Sequence, residues 1–333
     1  MMEGSAVEKD VEVVSIGGLI YDFMAFMSKF PEAEEKINSQ KYMEYGVAGV
    51  AVDCITQVSR LGYRCGHIGK LGDDTFSVKV KAQMEAEKID PSHCIQVPGG
   101  RMALAWVMVK SQDGERCHVI HPMEGGDLTH DELEAQKEYY LRAKAVHMET
   151  LQMPIDPLYA VAKNCRAAGV VTSMDMDIAP RFLYEYGYTT PELLVKTAGQ
   201  IDLLKICSDA VADLTDEKDL GAATLDIYGK LNPKVLILTV GARGCYIVHK
   251  LGGTVESMFI PAFQAENIVD TTGCGDAFQG GLIYSYLKGH TLEECGKIAN
   301  ACGLLAAGDI GARSSVGHET LGAFLKKHGV LLK

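Results

Sequence analysis

An α/β fold with a mostly parallel central sheet and a small separate sheet is what this sequence predicts, on three observations. Beyond residue 140, short and almost wholly apolar runs alternate with helical runs, as βαβ units do when both faces of a sheet are covered. Two stretches, 19–47 and 95–121, lack helical periodicity and read as strands alone. Late in the chain, Asp270-Thr271-Thr272-Gly273-Cys274-Gly275-Asp276 opens a helix whose apolar residues Phe278, Leu282, Ile283, Tyr286 and Leu287 recur at helical spacing.

Taken in order, Val11 to Ile20 reads as a buried strand ending near Gly17-Gly18, with Asp22 following. Met24–Phe30 and Lys36–Tyr45 read as short strands around the acidic turn Pro31–Glu35. Ala48–Leu61 is helical and stops at Gly62; Cys65–Gly69 is a strand and Asp73–Ala86 a helix. Met102–Lys110 and Cys117–His121 read as strands joined by the turn 112–115. Thr129 with Glu132 forms a capping box for a helix running to about Tyr140. Strands at Ala145–Met148, Val170–Asp175, Ile201–Ile206 and Val235–Val240 then alternate with helices at Leu158–Ala168, Pro191–Ala198 and Ala222–Lys230. Cys245–His249 and Val255–Ile260 suit antiparallel strands. Helices at Ala277–Lys288, Leu292–Ala307 and Thr320–Lys327 complete the chain.

Bulk properties narrow the function. At 333 residues the chain can bury a sizeable core, and 47% hydrophobic against 23% charged residues describe a soluble globular protein. A net charge of −12 argues against nucleic acid or an anionic membrane as partner. No apolar run reaches spanning length, and the acidic start (Glu3, Glu8, Asp10, Glu12) is unlike a signal peptide. The ten cysteines are scattered without a C-x-x-C pair, which points to a reduced, cytoplasmic setting.

The chemistry concentrates at residues 270–281. A helix N-terminus offers unpaired N–H donors and the positive end of a dipole, a ready anion site. Gly273 and Gly275 let backbone amides converge without side chains in the way. Asp276 in the first turn would repel a resting phosphate. A carboxylate there makes sense as a base that takes a proton from a hydroxyl attacking phosphorus. An acid in a first helical turn is common by itself; its setting between two glycines is what favours chemistry.

Asp270–Asp276 closely resembles the DTTGAGD signature of the PfkB/ribokinase carbohydrate-kinase family, with Cys274 in place of Ala. The resemblance implies a ribokinase-like three-layer sandwich: an α/β body of residues 1–18, 48–94 and 122–333, and a β lid of residues 19–47 and 95–121. It implies ATP-dependent phosphorylation of a hydroxyl on a small sugar or polyol, with Asp276 as general base and the amides of Gly273, Cys274 and Gly275 as the anion hole. Gly17–Asp22 resembles the family's first-strand motif, which implies that Asp22 binds substrate. The run Ala48–Asp53 matches the family's GG-x-x-x-N, placing Gly49 and Asp53 at the substrate; Asp175-Met176-Asp177 stands for D-x-N and places Asp177 there as well. Thr239-Val240-Gly241-Ala242-Arg243-Gly244 matches the T-x-G-x-x-G segment, implying that Thr239, Gly241 and Gly244, with Thr272, contact the nucleotide. Gly311–Ser315 resembles a loop that in some relatives joins Asp270 and Thr272 in holding a monovalent cation such as K⁺, with Ser315 as a ligand. A homodimer joined through the lids is a further implication.

Three departures accompany the match. Asp53 replaces an Asn, exchanging a donor–acceptor amide for an acceptor alone, which suits a ligand offering hydroxyls or an amine. Asp177 replaces another Asn. The N-x-x-E motif tied to Mg²⁺ maps onto Cys207-Ser208-Asp209-Ala210, leaving Asp209 or Asp213 as the nearest acids. Two alternatives follow: a nucleoside kinase of the same family, and a ligand-binding protein on a kinase scaffold. Other chemistries fit poorly. No P-loop motif is present, and Gly273-x-Gly275 lacks the rest of a dinucleotide fingerprint. His118 and His121, three apart on a strand, point to opposite faces and would not share a zinc ion.

Overall fold

The computed structural model describes residues 11–112, 115–151, 153–265, 268–313 and 316–333. Fifteen strands occur among them: β1 (Val13–Ile16), β2 (Ile20–Met27), β3 (Lys41–Ala48), β4 (Cys65–Ile68), β5 (Lys70–Leu71), β6 (Ile89–Asp90), β7 (Ile95–Gln96), β8 (Ala103–Lys110), β9 (Arg116–His121), β10 (Ala145–Glu149), β11 (Val171–Met176), β12 (Leu203–Cys207), β13 (Val235–Thr239), β14 (Gly244–Leu251) and β15 (Thr254–Pro261).

Nine of these form the central sheet, in the order β15-β14-β13-β12-β11-β10-β1-β4-β6. The strands from β13 to β6 in that order run parallel, and β14 and β15 close one edge antiparallel. Helices cover both faces. Val50–Arg60, Cys274–Leu287 and Leu292–Ala306 pack one side; Ile155–Ala168, Pro191–Ala198 and Leu220–Leu231 pack the other. The parallel strands read as continuous apolar runs because both faces are buried. One row across the sheet is polar: His67 and His147 each stand beside Ser15 in register, and Ser173 beside His147. Gln279, from the helix above, donates to Ser173 Oγ at 2.6 Å and so fixes that helix, three residues past Asp276, over the middle of the sheet.

A second sheet of four strands, β3-β2-β8-β9, stands apart, with β2 and β8 parallel and both edges antiparallel. Its strands are the helix-free stretches of the sequence, displaced from their expected ends. Val11–Ile20 is not one strand: β1 stops at Ile16 and β2 begins at Ile20. At Gly17 an added Cβ would lie 2.6 Å from Ala51 Cβ and 2.8 Å from Glu149 Cγ, so chain and helix approach closely where the path changes sheet. Asp22 therefore lies within β2, and the expected strands 24–30 and 36–45 become 20–27 and 41–48. Apolar alternation marks a strand but not its ends, which partner strands decide. The helix expected from Thr129 to Tyr140 keeps its capping box but breaks at Gln136 into His130–Ala135 and Lys137–Leu141. Among the described residues no helix is long and apolar enough to cross a membrane.

Candidate active site

Ligands of open α/β sheets collect at the carboxyl ends of the strands, and the residues singled out in the sequence collect there. Gly273 caps the Cys274–Leu287 helix in the left-handed region, at φ 73°. An added Cβ would sit 2.3 Å from Ala312 Cα, so only glycine fits at this turn. The Cys274 amide donates to Thr271 O and the Ala277 amide to Gly273 O. Between them the Gly275 and Asp276 amides have no backbone acceptor among the described residues and remain available at the helix end.

Lys205 reinforces this positive end. It sits in the apolar run of β12, 2% exposed, and its Nζ lies 2.5 Å from Asp175 Oδ2. The same Nζ is 3.3 Å from where a Cβ of Gly275 would stand, so the ammonium lies against the first helical turn. Burial works against that charge, but Asp175, Asp177 and Asp276 outweigh it and raise the Lys205 pKa. The carboxylate pKa values rise as well, which for these groups favours the neutral form. Burial, with the charges of Asp177 and Asp53, holds Asp276 well above the ordinary carboxylate range, while Lys205 opposes. Burial pushes Asp175 up to about 6.

Asp22 and Asp53 face the same space from β2 and from the Val50–Arg60 helix. Burial pushes each up to about 7, and the Arg313 guanidinium opposes the shift in both. Asp53 Oδ2 accepts the Gly49 amide at 3.1 Å, whereas its buried Oδ1 has no hydrogen-bond partner among the described residues. Glu149, at the end of β10, is fully buried and accepts the amides of Gly18 and Leu151. Three basic residues unforeseen in the sequence therefore border the acids: Lys205, Arg313 and Arg116.

On the other side of the helix end lies a cavity of about 730 Å³. Thr239, Gly241, Gly244, Cys274 and Gly275 line it, with Asn300 and Phe263 among the remaining walls. Small residues give it depth and Phe263, Ile268 and Leu304 give it apolar surface, a composition suited to a flat heterocycle. Thr271 lines this cavity where Thr272 was expected. Thr272 instead turns away: its amide and hydroxyl donate to Asp270 Oδ1 at 2.9 and 2.7 Å. Cys274 is no activated nucleophile, since burial pushes its thiol up to about 11.

Asp209 and Asp213, the acids nearest the position expected for Mg²⁺, lie apart in partners and exposure, while Asp270 and Thr272 meet each other. Asp209 is exposed on the short turn after β12, and Asp213 pairs with Arg181 at 2.8 Å. Among the described residues no group of three or more acids, histidines or cysteines could hold a metal ion. Ser315 lies outside the described residues. Asp270 accepts the Gly311 amide through Oδ2 at 2.9 Å and has Arg116 3.6 Å from Oδ1, so its carboxylate is already provided with donors and a counter-charge.

Fold and site together define a ribokinase-like α/β protein with a helix end set between a nucleotide-sized cavity and an acid-lined pocket. Among solved structures, the chain resembles Arabidopsis thaliana ribokinase complexed with ribose and ATP (TM-score 0.77, 20% identity, covering 95% of this chain and 99% of that one). It is 29% identical over 318 residues to fructokinase-2 of Oryza sativa subsp. japonica, covering 90% of this chain and 89% of that protein. It is also 26% identical over 321 residues to an ATP-dependent ribose-1-phosphate kinase of Halopiger xanaduensis, covering 95% and 99%. The model of the pfkB family carbohydrate kinases matches residues 10–319. The chain belongs to that family and is a carbohydrate kinase.

Proposed function

We propose that the protein transfers the γ-phosphoryl group of ATP to a hydroxyl of a small sugar or polyol, with Asp276 as the general base. The observation that carries this reading is the position of one helical turn. Cys274 and Gly275 line the cavity suited to a nucleotide, while Asp276, the next residue, is surrounded by the acids of the other pocket. A phosphoryl group held at the helix end and a hydroxyl held beside Asp276 would meet at this turn. Asp22, Asp53 and Asp177 accept hydrogen bonds from the acceptor's hydroxyls, with Gly49 shaping the approach. The unpartnered Asp53 Oδ1 asks for such a donor. Burial raises the proton affinity of Asp276, which suits a base that takes a hydroxyl proton.

The amides around Gly273–Gly275 and the Lys205 ammonium meet the charge that develops on the phosphoryl oxygens. Mg²⁺ fits as an ion that arrives with the nucleotide, since one or two carboxylates such as Asp177 suffice beside phosphate and water ligands. When bound, it neutralises phosphate charge. The small sheet, within residues 20–48 and 103–121, acts as a lid over the acceptor pocket and excludes water from the transfer. Its outer face carries Tyr42, Trp106 and Val119, exposed by 59, 45 and 51%, and is the surface through which two copies would pair.

Cys207 and Ala210, where relatives carry Asn and Glu, support a second reading: a ligand-binding protein with little turnover. ADP release from Mg-ATP across sugars, polyols, sugar acids and nucleosides decides between them. The kinase reading expects turnover with one acceptor class and a loss of about 10²–10⁴-fold in Asp276→Asn. Ligand-induced thermal shifts with no ADP release from any acceptor would establish the binding protein instead, and turnover with nucleosides alone would move the substrate class.

A further inference from the structure

β9 is an edge strand whose residues after Arg116 are exposed, yet Arg116 itself is three-quarters buried, with 25% of its side chain accessible. It reaches from the small sheet into the turn that precedes the helix end. Nη1 donates to Thr272 Oγ1, Nη2 donates to Thr271 Oγ1 at 3.4 Å, and the guanidinium lies 3.6 Å from Asp270 Oδ1. Asp270 in turn accepts the Thr272 amide and hydroxyl and the Gly311 amide. An exposed surface ion pair contributes little. Fixing an arginine against two hydroxyls and a carboxylate costs side-chain entropy, so a contact of this kind needs several bonds to persist. This turn sets the direction of the Gly275 and Asp276 amides, because Gly273 follows it directly.

The opposite edge of the small sheet reaches the neighbouring loop. Tyr45, on β3, accepts the Arg313 amide at its hydroxyl (2.5 Å) and the Arg313 guanidinium at its carbonyl (3.0 Å). Ala312 in that loop is the residue packed on Gly273. Both edges of the sheet therefore bear on one turn, and Arg116 does so with a permanent charge.

We propose that Arg116 is a positioning residue through which the seated small sheet sets the Asp270–Gly273 turn. Its guanidinium also supplies the fixed positive charge at Asp270, so the turn works without a dissociable monovalent cation. This deepens the kinase reading and rests on it. The only tryptophan, Trp106, lies on β8 in register with Val119 of β9, so its fluorescence reports the position of the sheet.

The test compares the unmodified protein with Arg116→Ala, Arg116→Gln and Arg116→Lys in potassium and in tetramethylammonium chloride. Two pairs of quantities are read: kcat and KM with the acceptor found active, and the Trp106 response and affinity for a non-hydrolysable Mg-ATP analogue. The unmodified protein is expected to differ by less than about twofold between the salts. Arg116→Ala is expected to lose about 10- to 100-fold in kcat with the acceptor KM little changed, to respond less at Trp106, and to be partly restored by millimolar guanidinium ion. Should the Ala variant fail to fold, the Gln and Lys variants carry the same comparison, with Lys retaining the charge but not the two-pronged contact. Tenfold or greater stimulation of the unmodified protein by potassium overturns the inference, as do variants that match it in both readouts. Analogue binding without turnover breaks the kinase reading while the binding arm still judges Arg116; no analogue binding overturns both.

Discussion

The two pockets that meet at Asp276 are built on opposite terms. The larger cavity is lined mostly by backbone and by small or apolar side chains, with Thr239, Gln264, Thr271 and Asn300 as its polar members. The other pocket crowds Asp22, Asp53, Asp175 and Asp276 together, each displaced upward by burial, around the buried ammonium of Lys205. A pocket of shape tolerates changes that keep its volume. A pocket of charge depends on a few groups whose removal leaves others unmatched. The difference teaches that substitutions of equal size should have unequal consequences on the two sides.

The hardest test of that contrast is Lys205→Met, which keeps the volume and removes the charge. Breaking a buried pair by deleting one partner costs about 3–5 kcal/mol, and the loss should be largest at pH 8, where Asp175 must ionise alone, and small at pH 5. Denaturant titrations at the two pH values measure it; equal losses at both would show that Lys205 acts by packing. Next is Gly273→Ala, on the boundary between the pockets. Its positive φ and the 2.3 Å approach to Ala312 predict a loss of about 2 kcal/mol and a weakened affinity for Mg-ATP, read by calorimetry. Undiminished affinity would separate the turn from nucleotide binding.

The smallest expected effect concerns pH. Asp53 sits near 7 in the folded protein and near the ordinary value of about 4 when unfolded, so the folded state holds the extra proton between those values. Stability from this group is fully present below pH 4 and is lost as pH rises through 7. Asp53→Asn, whose amide oxygen can still accept from Gly49, should flatten that fall and stabilise the ligand-free protein by about 1–2 kcal/mol at pH 8. Thermal melts from pH 5 to 8 would reveal it. A wild-type protein that grows more stable over this range would contradict the assignment.

The body of the fold was legible because its strands are buried on both faces and separated by amphipathic helices, a pattern local enough to read. The small sheet was legible as strands but not in register: Ile20 begins a strand only because Ala103 and Ala48 flank it, and Lys41 because Phe26 stands across from it. At the site, Asp276 and its glycines stood out because helix ends have their own chemistry. Lys205 does leave a signal, a lone charge within Leu-Leu-Lys-Ile-Cys, and a charge inside an apolar strand requires a partner. Glu149, ending Ala-Val-His-Met-Glu, left a similar one. Arg116, Arg313 and Tyr45 left none, because their importance arises from contacts across more than 150 residues of chain.

One atom links this architecture to the protein's lifetime. Asp53 Oδ1 is buried without a donor among the described residues, so a ligand that brings a hydroxyl completes the protein's own set of hydrogen bonds. Binding of that kind is coupled to folding by mass action, and the filled protein unfolds less often than the empty one. Proteolysis, which samples opened molecules, then removes the idle copies first. The supply of acceptor would thereby regulate how much of the protein persists, with no sensor beyond a carboxylate waiting for a proton to share.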